Sequence, residues 1–422
     1  MSNLVVIGQG YVGLPMALRA TEVGHSVIGL DMNESVVEDL NNGRSHIDDI
    51  PDSTLSRGIE SGYVATTDAR CIAGADVVVV CVPTPLSADG GPDLRAVEST
   101  ARSIGEHVSE GTLCILESTT YPGTTEEIFA PLVTSKGWKI GTDIFVAFSP
   151  ERIDPGNETY GVQNTPKVVG GMTNECTERA RAFYASFIDT VVPAKGAKEA
   201  EMAKLLENTF RHVNIALVNE MVRFCKELDI DLWDAIDAAS TKPFGYMPFR
   251  PGPGVGGHCI PIDPSYLSHR VKAKLGYAFR MVELAEEINH AAPRYVAQRV
   301  SLLLNDIEKS TRGSVVLLVG VTYKPNISDQ RESPAIPLAR DLADLGSVVK
   351  YFDPFIPRWS PYAGSDTVIE SEGDLYSAAR QADVVVLLQQ HSDIDLERLA
   401  ENSPLVLDTK GVMPKTPKVY AL

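Results

Sequence analysis

An α/β protein with two doubly wound, parallel-sheet domains joined by a helical middle is what this sequence predicts. Three observations carry that expectation. A continuous apolar strand, Leu4-Val5-Val6-Ile7, runs straight into a glycine turn and a helix; Lys198 to Leu228 holds neither Gly nor Pro; and strand and helix signals start alternating again after a short polar stretch, Asn305 to Gly313. Buried parallel strands read as unbroken apolar runs, and a long helix needs an uninterrupted supply of residues that tolerate helical dihedrals. With 422 residues the chain is too long for one ordinary core. We expect domains at 1–195, 196–304 and 312–422.

Bulk composition narrows the partners. A hydrophobic share of 44% and a charged share of 22% are those of a folded globular chain. A formal net charge of −18 argues against nucleic acid and against an anionic membrane surface. Six cysteines are scattered without a CxxC pair or metal-ligand spacing, so no metal site is expected. No apolar run reaches membrane-spanning length and Met1 leads directly into a strand, which together predict a cytoplasmic protein whose thiols stay free.

Taken in order, the first strand is followed by Gly8-Gln9-Gly10-Tyr11-Val12-Gly13, a helix over Leu14 to Val23, and a second strand, Ser26 to Leu30, that ends in Asp31. Such a glycine turn lets a pyrophosphate approach a helix N-terminus, and an acidic residue 18 positions past the last glycine takes ribose hydroxyls. This is the Rossmann arrangement. The carboxylate would repel a 2′-phosphate, so the expected cofactor is NAD rather than NADP. Strand runs at Asp76 to Cys81, Leu113 to Leu116 and Asp143 to Phe148 each end in a polar turn: Val82-Pro83-Thr84-Pro85, Glu117 to Gly123, and Ser149-Pro150-Glu151-Arg152. Ligands of open parallel sheets sit beyond the strands' carboxyl ends, so Pro83, Thr84, Thr119, Glu151 and Arg152 are site candidates.

The long helix puts Lys204 and Asn208 one turn apart on one face, bracketed by Glu207 and Arg211. A shorter helix is expected over Asp229 to Ala239. A glycine- and proline-rich segment, Phe249 to Leu267, then surrounds Cys259 with Gly252, Gly254, Gly256 and Gly257 and sets Asp263 four residues on. Glycine permits close backbone approach and proline stiffens the flanks, which suits a rigid loop that lies against a ligand. Helix is expected from Tyr266 to Leu304. The second α/β region has strands at Ser314 to Val319, Ser347 to Phe352, Asp383 to Leu388 and Leu405 to Leu407, with a helix from Pro334 to Leu345 and no GxGxxG of its own. Lys324 and Arg331 follow its first strand and could bind phosphate, and Lys410 beyond the last of these strands is a further substrate candidate.

The blocks GQGYVGLP, CVPTP, ESTTYPGT, FSPERIDPG, EMAKLLENTFRHVNIALVNE, PGPGVGGHCIPIDP and GVTYKPNISDQRES, in this order, resemble the nucleotide-sugar 6-dehydrogenases across essentially the whole chain. The resemblance implies an NAD domain, a central helical domain that forms a homodimer around the long helix, and a C-terminal domain that holds UDP. It implies that Cys259 is the nucleophile, that Lys204, Asn208 and Asp263 surround the reacting oxygen, and that Thr119 and Glu151 act with water and base. It further places Lys324 on UDP, Arg331 near the cofactor and the loop from Arg250 to Gly256 around the sugar. The wording around His258 and FRMVELAEEIN is similar to the N-acetylglucosamine enzymes, with UDP-glucose and dTDP-glucose as alternatives. Where the glucose enzymes supply an arginine across the subunit interface, this chain has Pro243 beside Lys242. A two-electron hydroxyacid dehydrogenase would need neither Cys259 nor a second α/β domain, and an NAD-binding sensor would have no use for Lys204, Asn208 and Cys259 together.

Overall fold

The structure is a computed structural model that describes residues 1–87, 91–154, 157, 159–257, 260–362 and 367–422. His258 and Cys259 therefore lie outside the described residues. Contacts divide the chain into two compact units, residues 1–207 with 265–277, and residues 208–264 with 278–422.

In the first unit the strands are β1 (Asn3–Ile7), β2 (Ser26–Leu30), β3 (Val64–Thr66), β4 (Val77–Val80), β5 (Leu113–Leu116), β6 (Phe145–Phe148), β7 (Lys167–Gly171) and β8 (Val191–Pro193). Among the described residues they form one sheet in the order β3-β2-β1-β4-β5-β6-β7-β8. β1 lies parallel to both β2 and β4, with Val5 opposite Ile28 and Val78. Alternate residues of each strand feed opposite faces. Val6, Val27 and Val79 pack with Leu14 and Ala17 of the helix Gly13–Glu22 and with Phe183 of Asn174–Tyr184. Val5, Val78 and Val80 pack with Val97, Ala101 and Ile104 of Arg95–His107. Burying each such side chain stabilises the fold by about 1.5–3 kcal/mol, which explains unbroken valine runs such as β4. The antiparallel pairing of β6 with β7 is absent from the sequence reading, since local patterning does not encode strand direction.

The second unit carries β9 (Val315–Val319), β10 (Val348–Phe352), a two-stranded ribbon of β11 (Arg358–Trp359) and β12 (Ile369–Glu370), then β13 (Val384–Leu387), β14 (Val406–Asp408) and β15 (Val419–Ala421). Its main sheet is all parallel in the order β10-β9-β13-β14-β15. The order reverses between β9 and β13, and that reversal opens the crevice where such sheets take ligands. One face of this sheet shares a core with Val218, Val222 and Cys225 of the long helix Ala197–Glu227 and with Val296 and Val300 of Arg280–Asp306. The single helical stretch expected from Tyr266 to Leu304 is two helices, Asp263–Leu275 and Arg280–Asp306. Gly276, at φ +77°, takes the left-handed conformation that terminates the first of them.

Past β14 the chain turns around the Asp408 carboxylate, which accepts from the backbone N–H of Lys410, Gly411, Val412 and Met413 at 2.7–3.0 Å. Gly411 is at φ +69°, where a Cβ would stand 2.1 Å from the Trp233 indole nitrogen. Asp408→Ala leaves four donors without their acceptor and is expected to destabilise the second unit by about 3 kcal/mol, read as a lowered calorimetric melting temperature. An unchanged melting profile would show that the turn is held by other contacts.

Candidate functional site

The glycine turn is shaped by contacts on three sides and open on the fourth. A Cβ on Gly13 would lie 1.8 Å from the Gly8 carbonyl oxygen, whereas nothing lies within 4 Å of where Gly10 would carry one. Gln9 points inward: its side chain donates to the Val6 carbonyl at 2.7 Å and accepts from the Tyr63 hydroxyl at 2.7 Å, and burial pushes the Tyr63 pKa up. Asp31, at the end of β2, accepts from the backbone N–H of Gln9 at 2.9 Å and of Asn33 at 3.0 Å. The half-buried Tyr11 and Val12 complete the turn into the helix. An open glycine ahead of a helix N-terminus, with a fixed carboxylate at the neighbouring strand end, fits the pyrophosphate and ribose of a dinucleotide.

Further along the same sheet, Thr84 is buried and its hydroxyl donates to the Thr119 carbonyl at 2.8 Å, while its own carbonyl accepts from the Tyr266 hydroxyl. Pro83 beside it is exposed. Thr119 is half-buried. Its neighbour Thr120 is fully buried, and the Thr120 hydroxyl has no hydrogen-bond partner within the described residues. The turn that carries both is tied to the long helix by Glu201, whose carboxylate accepts from the Gly123 and Thr125 backbones and from the Thr125 hydroxyl. Burial raises the Glu201 pKa, and those three donors oppose the rise. Lys204, three residues on and 7% exposed, donates to the Glu151 carbonyl. Arg152 pairs with Glu207 at 2.8 Å and donates to the Pro166 carbonyl. Glu201 is a tie that sequence reading missed, because an acidic residue in a helix ordinarily reads as a solvated one.

In the second unit, Asn208 and Asp263 are both buried, and the Asn208 amide donates to the Asp263 carboxylate at 2.6 Å. The glycine loop lies against Tyr323: a Cβ on Gly256 or Gly257 would come within 2.6 or 2.7 Å of that side chain, and the Gly257 N–H donates to the Arg331 carbonyl. Gly254, at φ +137°, has a conformation open to glycine and little else. The Asn219 side chain accepts from the Gly252 N–H at 3.0 Å and donates to Asn289, which donates to the His212 carbonyl at 3.2 Å. Arg250, expected beside the sugar, is exposed and pairs with Asp237. Arg331, expected beside the cofactor, is clamped by both oxygens of Asp329.

Lys324 and Lys410 follow β9 and β14 at their carboxyl ends, and His391 follows β13 between them. The Asn326 N–H donates to His391 Nδ1 at 3.0 Å, which leaves Nε2 to donate to the Asp353 carboxylate at 3.2 Å. That wholly buried pair went unnoticed in the sequence, where its members stand 38 residues apart. Desolvation lowers the Lys410 pKa, and the nearby Asp408 charge offsets it only in part.

Three successive stretches match one family. Residues 2–188 match the NAD binding domain of the UDP-glucose/GDP-mannose dehydrogenase family, 198–291 its central domain and 317–415 its UDP binding domain. The chain belongs to that family. It is therefore an NAD-dependent oxidoreductase of the UDP-sugar dehydrogenase group. It is 35% identical to the UDP-N-acetyl-D-mannosamine dehydrogenase of Methanocaldococcus jannaschii, over 97% of this chain and 92% of that one. It is 34% identical to the NDP-N-acetyl-D-galactosaminuronic acid dehydrogenase of Ralstonia solanacearum, over 97% and 96%. Among solved structures, the UDP-D-ManNAc dehydrogenase of Pyrococcus horikoshii superimposes with a TM-score of 0.89 at 29% identity, covering 99% of this chain and 98% of that one. Among the described residues, no helix is long and apolar enough to cross a membrane.

A phosphate that pairs with Lys410 restores the charge that burial disfavours, so binding draws in a proton wherever the free lysine is partly neutral. UDP binding is expected to take up little proton near neutrality and progressively more as the pH climbs toward the ordinary lysine value of 10.5. Calorimetry in buffers of differing ionisation enthalpy reads this directly. Lys410→Met should abolish the uptake and raise the KM for the sugar nucleotide roughly ten- to a hundredfold.

Proposed function

We propose that this dehydrogenase oxidises the C6 hydroxymethyl of a UDP-N-acetylhexosamine to the uronate, through a thiohemiacetal and then a thioester on Cys259. The observation that carries this reading is the buried contact between Asn208 and Asp263, because it fixes a donor and a carboxylate four residues beyond Cys259 in the chain. NAD, when bound, accepts a hydride at each of the two oxidations. The Lys204 ammonium offsets charge on the alkoxide and on the tetrahedral oxyanion, with the Asn208 amide directed to the same oxygen. The Cys259 thiolate adds to the aldehyde carbon and holds the sugar until the second oxidation. Asp263 orients water, and Glu151 takes its proton as the thioester is hydrolysed. Thr119 assists there in our reading, and the buried, unpartnered hydroxyl of Thr120 makes it a second candidate for that role.

The domains divide the work as 1–195 for NAD, 196–304 for catalysis and dimerisation, and 312–422 for UDP, with Lys324 and Lys410 on the diphosphate. The relatives described above are named for mannosamine and galactosamine sugars, so the 2-acetamido group is the shared chemistry. The resemblance to the N-acetylglucosamine enzymes remains one configuration among three, and UDP-glucose is the alternative. A panel of UDP-GlcNAc, UDP-ManNAc, UDP-GalNAc, UDP-glucose and dTDP-glucose is expected to single out an acetamido sugar and to yield two NADH per uronate. One NADH per sugar would point to a two-electron dehydrogenase, and no NADH from any of them to a sensor. Cys259→Ser should lose uronate formation by orders of magnitude, whereas a variant that keeps the wild-type rate would make the thiol structural.

The long helix also supports a homodimer. Met202, Leu206, Phe210, Leu217, Phe224 and Leu228 are 37–65% exposed and recur along one side of it. Burying each against a second copy is worth about 1.5–3 kcal/mol. Light scattering should find a dimer for the wild type and a monomer for Leu217→Lys combined with Phe224→Lys. A double variant that stays dimeric would place the interface elsewhere.

A further inference from the structure

Next to Glu151 in the first unit lies a group of ionisable side chains that the reading above does not use. Glu117 follows β5, Lys167 opens β7, and Tyr184 closes the helix Asn174–Tyr184. Lys167 Nζ stands 2.9 Å from Glu117 Oε1 and 3.9 Å from Glu151 Oε2, with side-chain exposures of 9%, 0% and 12%. The Tyr184 hydroxyl donates to the same Glu117 oxygen, and the ammonium lies 5.2 Å from the centre of the Tyr184 ring. A cavity of about 20 Å³ opens between Glu117, Glu151, Thr165 and Lys167. Its size suits one water molecule, and the buried Thr165 hydroxyl on its wall has no hydrogen-bond partner among the described residues.

We propose that Lys167 is a positioning residue for Glu151: anchored by Glu117 and Tyr184, it fixes the Glu151 carboxylate for the hydrolytic step and divides its positive charge between the two glutamates. This inference rests on the reading of Glu151 as the base in hydrolysis. A lysine stripped of water persists in a protein when carboxylates compensate it. Burial works against the Lys167 ammonium, yet Glu117 and Glu151 outweigh it and its pKa is raised. Burial also raises the Glu117 pKa against the pull of Lys167, so Glu117 holds the lysine without neutralising it completely. The other groups facing Glu151 are committed elsewhere or neutral. Arg152 pairs with Glu207, Lys204 donates to the Glu151 carbonyl rather than to its carboxylate, and burial raises the pKa of both Cys81 and Tyr184.

The division of charge predicts shifts of opposite sign. Lys167→Met removes the cation next to Glu151, so the acidic limb of the pH profile for thioester hydrolysis moves to higher pH. Glu117→Gln leaves the whole lysine charge to Glu151, so the same limb moves to lower pH. Lys167→Arg keeps the cation and should keep the limb near its wild-type position. A purely structural role gives slower enzymes whose limbs stay put or move in one direction. The measurement is the decay of the acyl-enzyme in quenched samples across pH, and Glu151→Gln serves as the reference. If Glu151→Gln hydrolyses the thioester as fast as wild type, Glu151 is not the base and the underlying reading fails. If it slows hydrolysis by about a hundredfold or more and the limbs of Lys167→Met and Glu117→Gln fail to separate, the positioning role is overturned. Should Lys167→Met not fold, Glu117→Gln decides alone: a lowered limb supports the role, and an unmoved or raised one refutes it.

Discussion

Five of the six buried polar side chains on a single helix dictate where the loops of this protein must go. Glu201, Lys204, Asn208, His212 and Asn219 of Ala197–Glu227 are each less than 9% exposed. At 100° per residue they fall within roughly 80° of one another around the axis. A buried polar group without a partner costs about 1–3 kcal/mol, and each of these five side chains finds at least one, although Thr209 Oγ1 and His212 Nε2 on the same helix have no hydrogen-bond partner among the described residues. Glu201 takes the turn at 123–125, Lys204 takes the Glu151 carbonyl, Asn208 takes Asp263, His212 meets Asn289, and Asn219 takes the Gly252 backbone. Of the residues assigned to chemistry, Lys204 and Asn208 belong to that same stripe.

The same helix carries the opposite pattern on its other side. Leu206, Phe210, Leu217, Phe224 and Leu228 sit about 140–180° from Glu201 and remain exposed. The buried side is mixed, since Ala200, Leu205, Val218, Val222 and Cys225 are buried along with the polar side chains, while the opposite side leaves the apolar set from Leu206 to Leu228 exposed, which departs from the usual surface helix. An exposed apolar stripe of this kind is what the proposed association through this helix would cover.

Much of this was legible in the sequence because it is local. The turn from Gly8 to Gly13 with Asp31, the long helix without Gly or Pro, and the shared face of Lys204 and Asn208 all depend on spacing within about thirty residues, where strand and helix periods speak directly. What stayed hidden depends on pairing at long range. Lys167 meets Glu117 only because β7 joins the sheet antiparallel to β6. Glu201 reads as a surface glutamate until the turn at Gly123 folds onto it. Thr119 and Thr120 are indistinguishable in a string of hydroxyl residues, and burial alone separates them. Arg250 was read as a sugar contact from the family resemblance and Arg331 as a cofactor contact from the resemblance and its charge, and in the fold each also has a carboxylate partner.

A chain of net charge −18 in a family that handles doubly charged nucleotides raises an electrostatic question. Net charge acts through water, where screening at physiological salt confines it to about 8 Å, and it therefore governs approach more than recognition. Recognition depends on the charges nearest the ligand, and lysines withdrawn from solvent are suited to that role. Of the lysines proposed to act on substrate, Lys204 is 7% exposed and Lys410 is desolvated enough to lower its pKa. In low-dielectric surroundings an ammonium interacts several-fold more strongly than at the surface. It also loses that advantage if a carboxylate neutralises it completely, and Asp408 offsets the desolvation of Lys410 only in part. An acidic protein can hold an anionic ligand when a few lysines are buried and left incompletely paired.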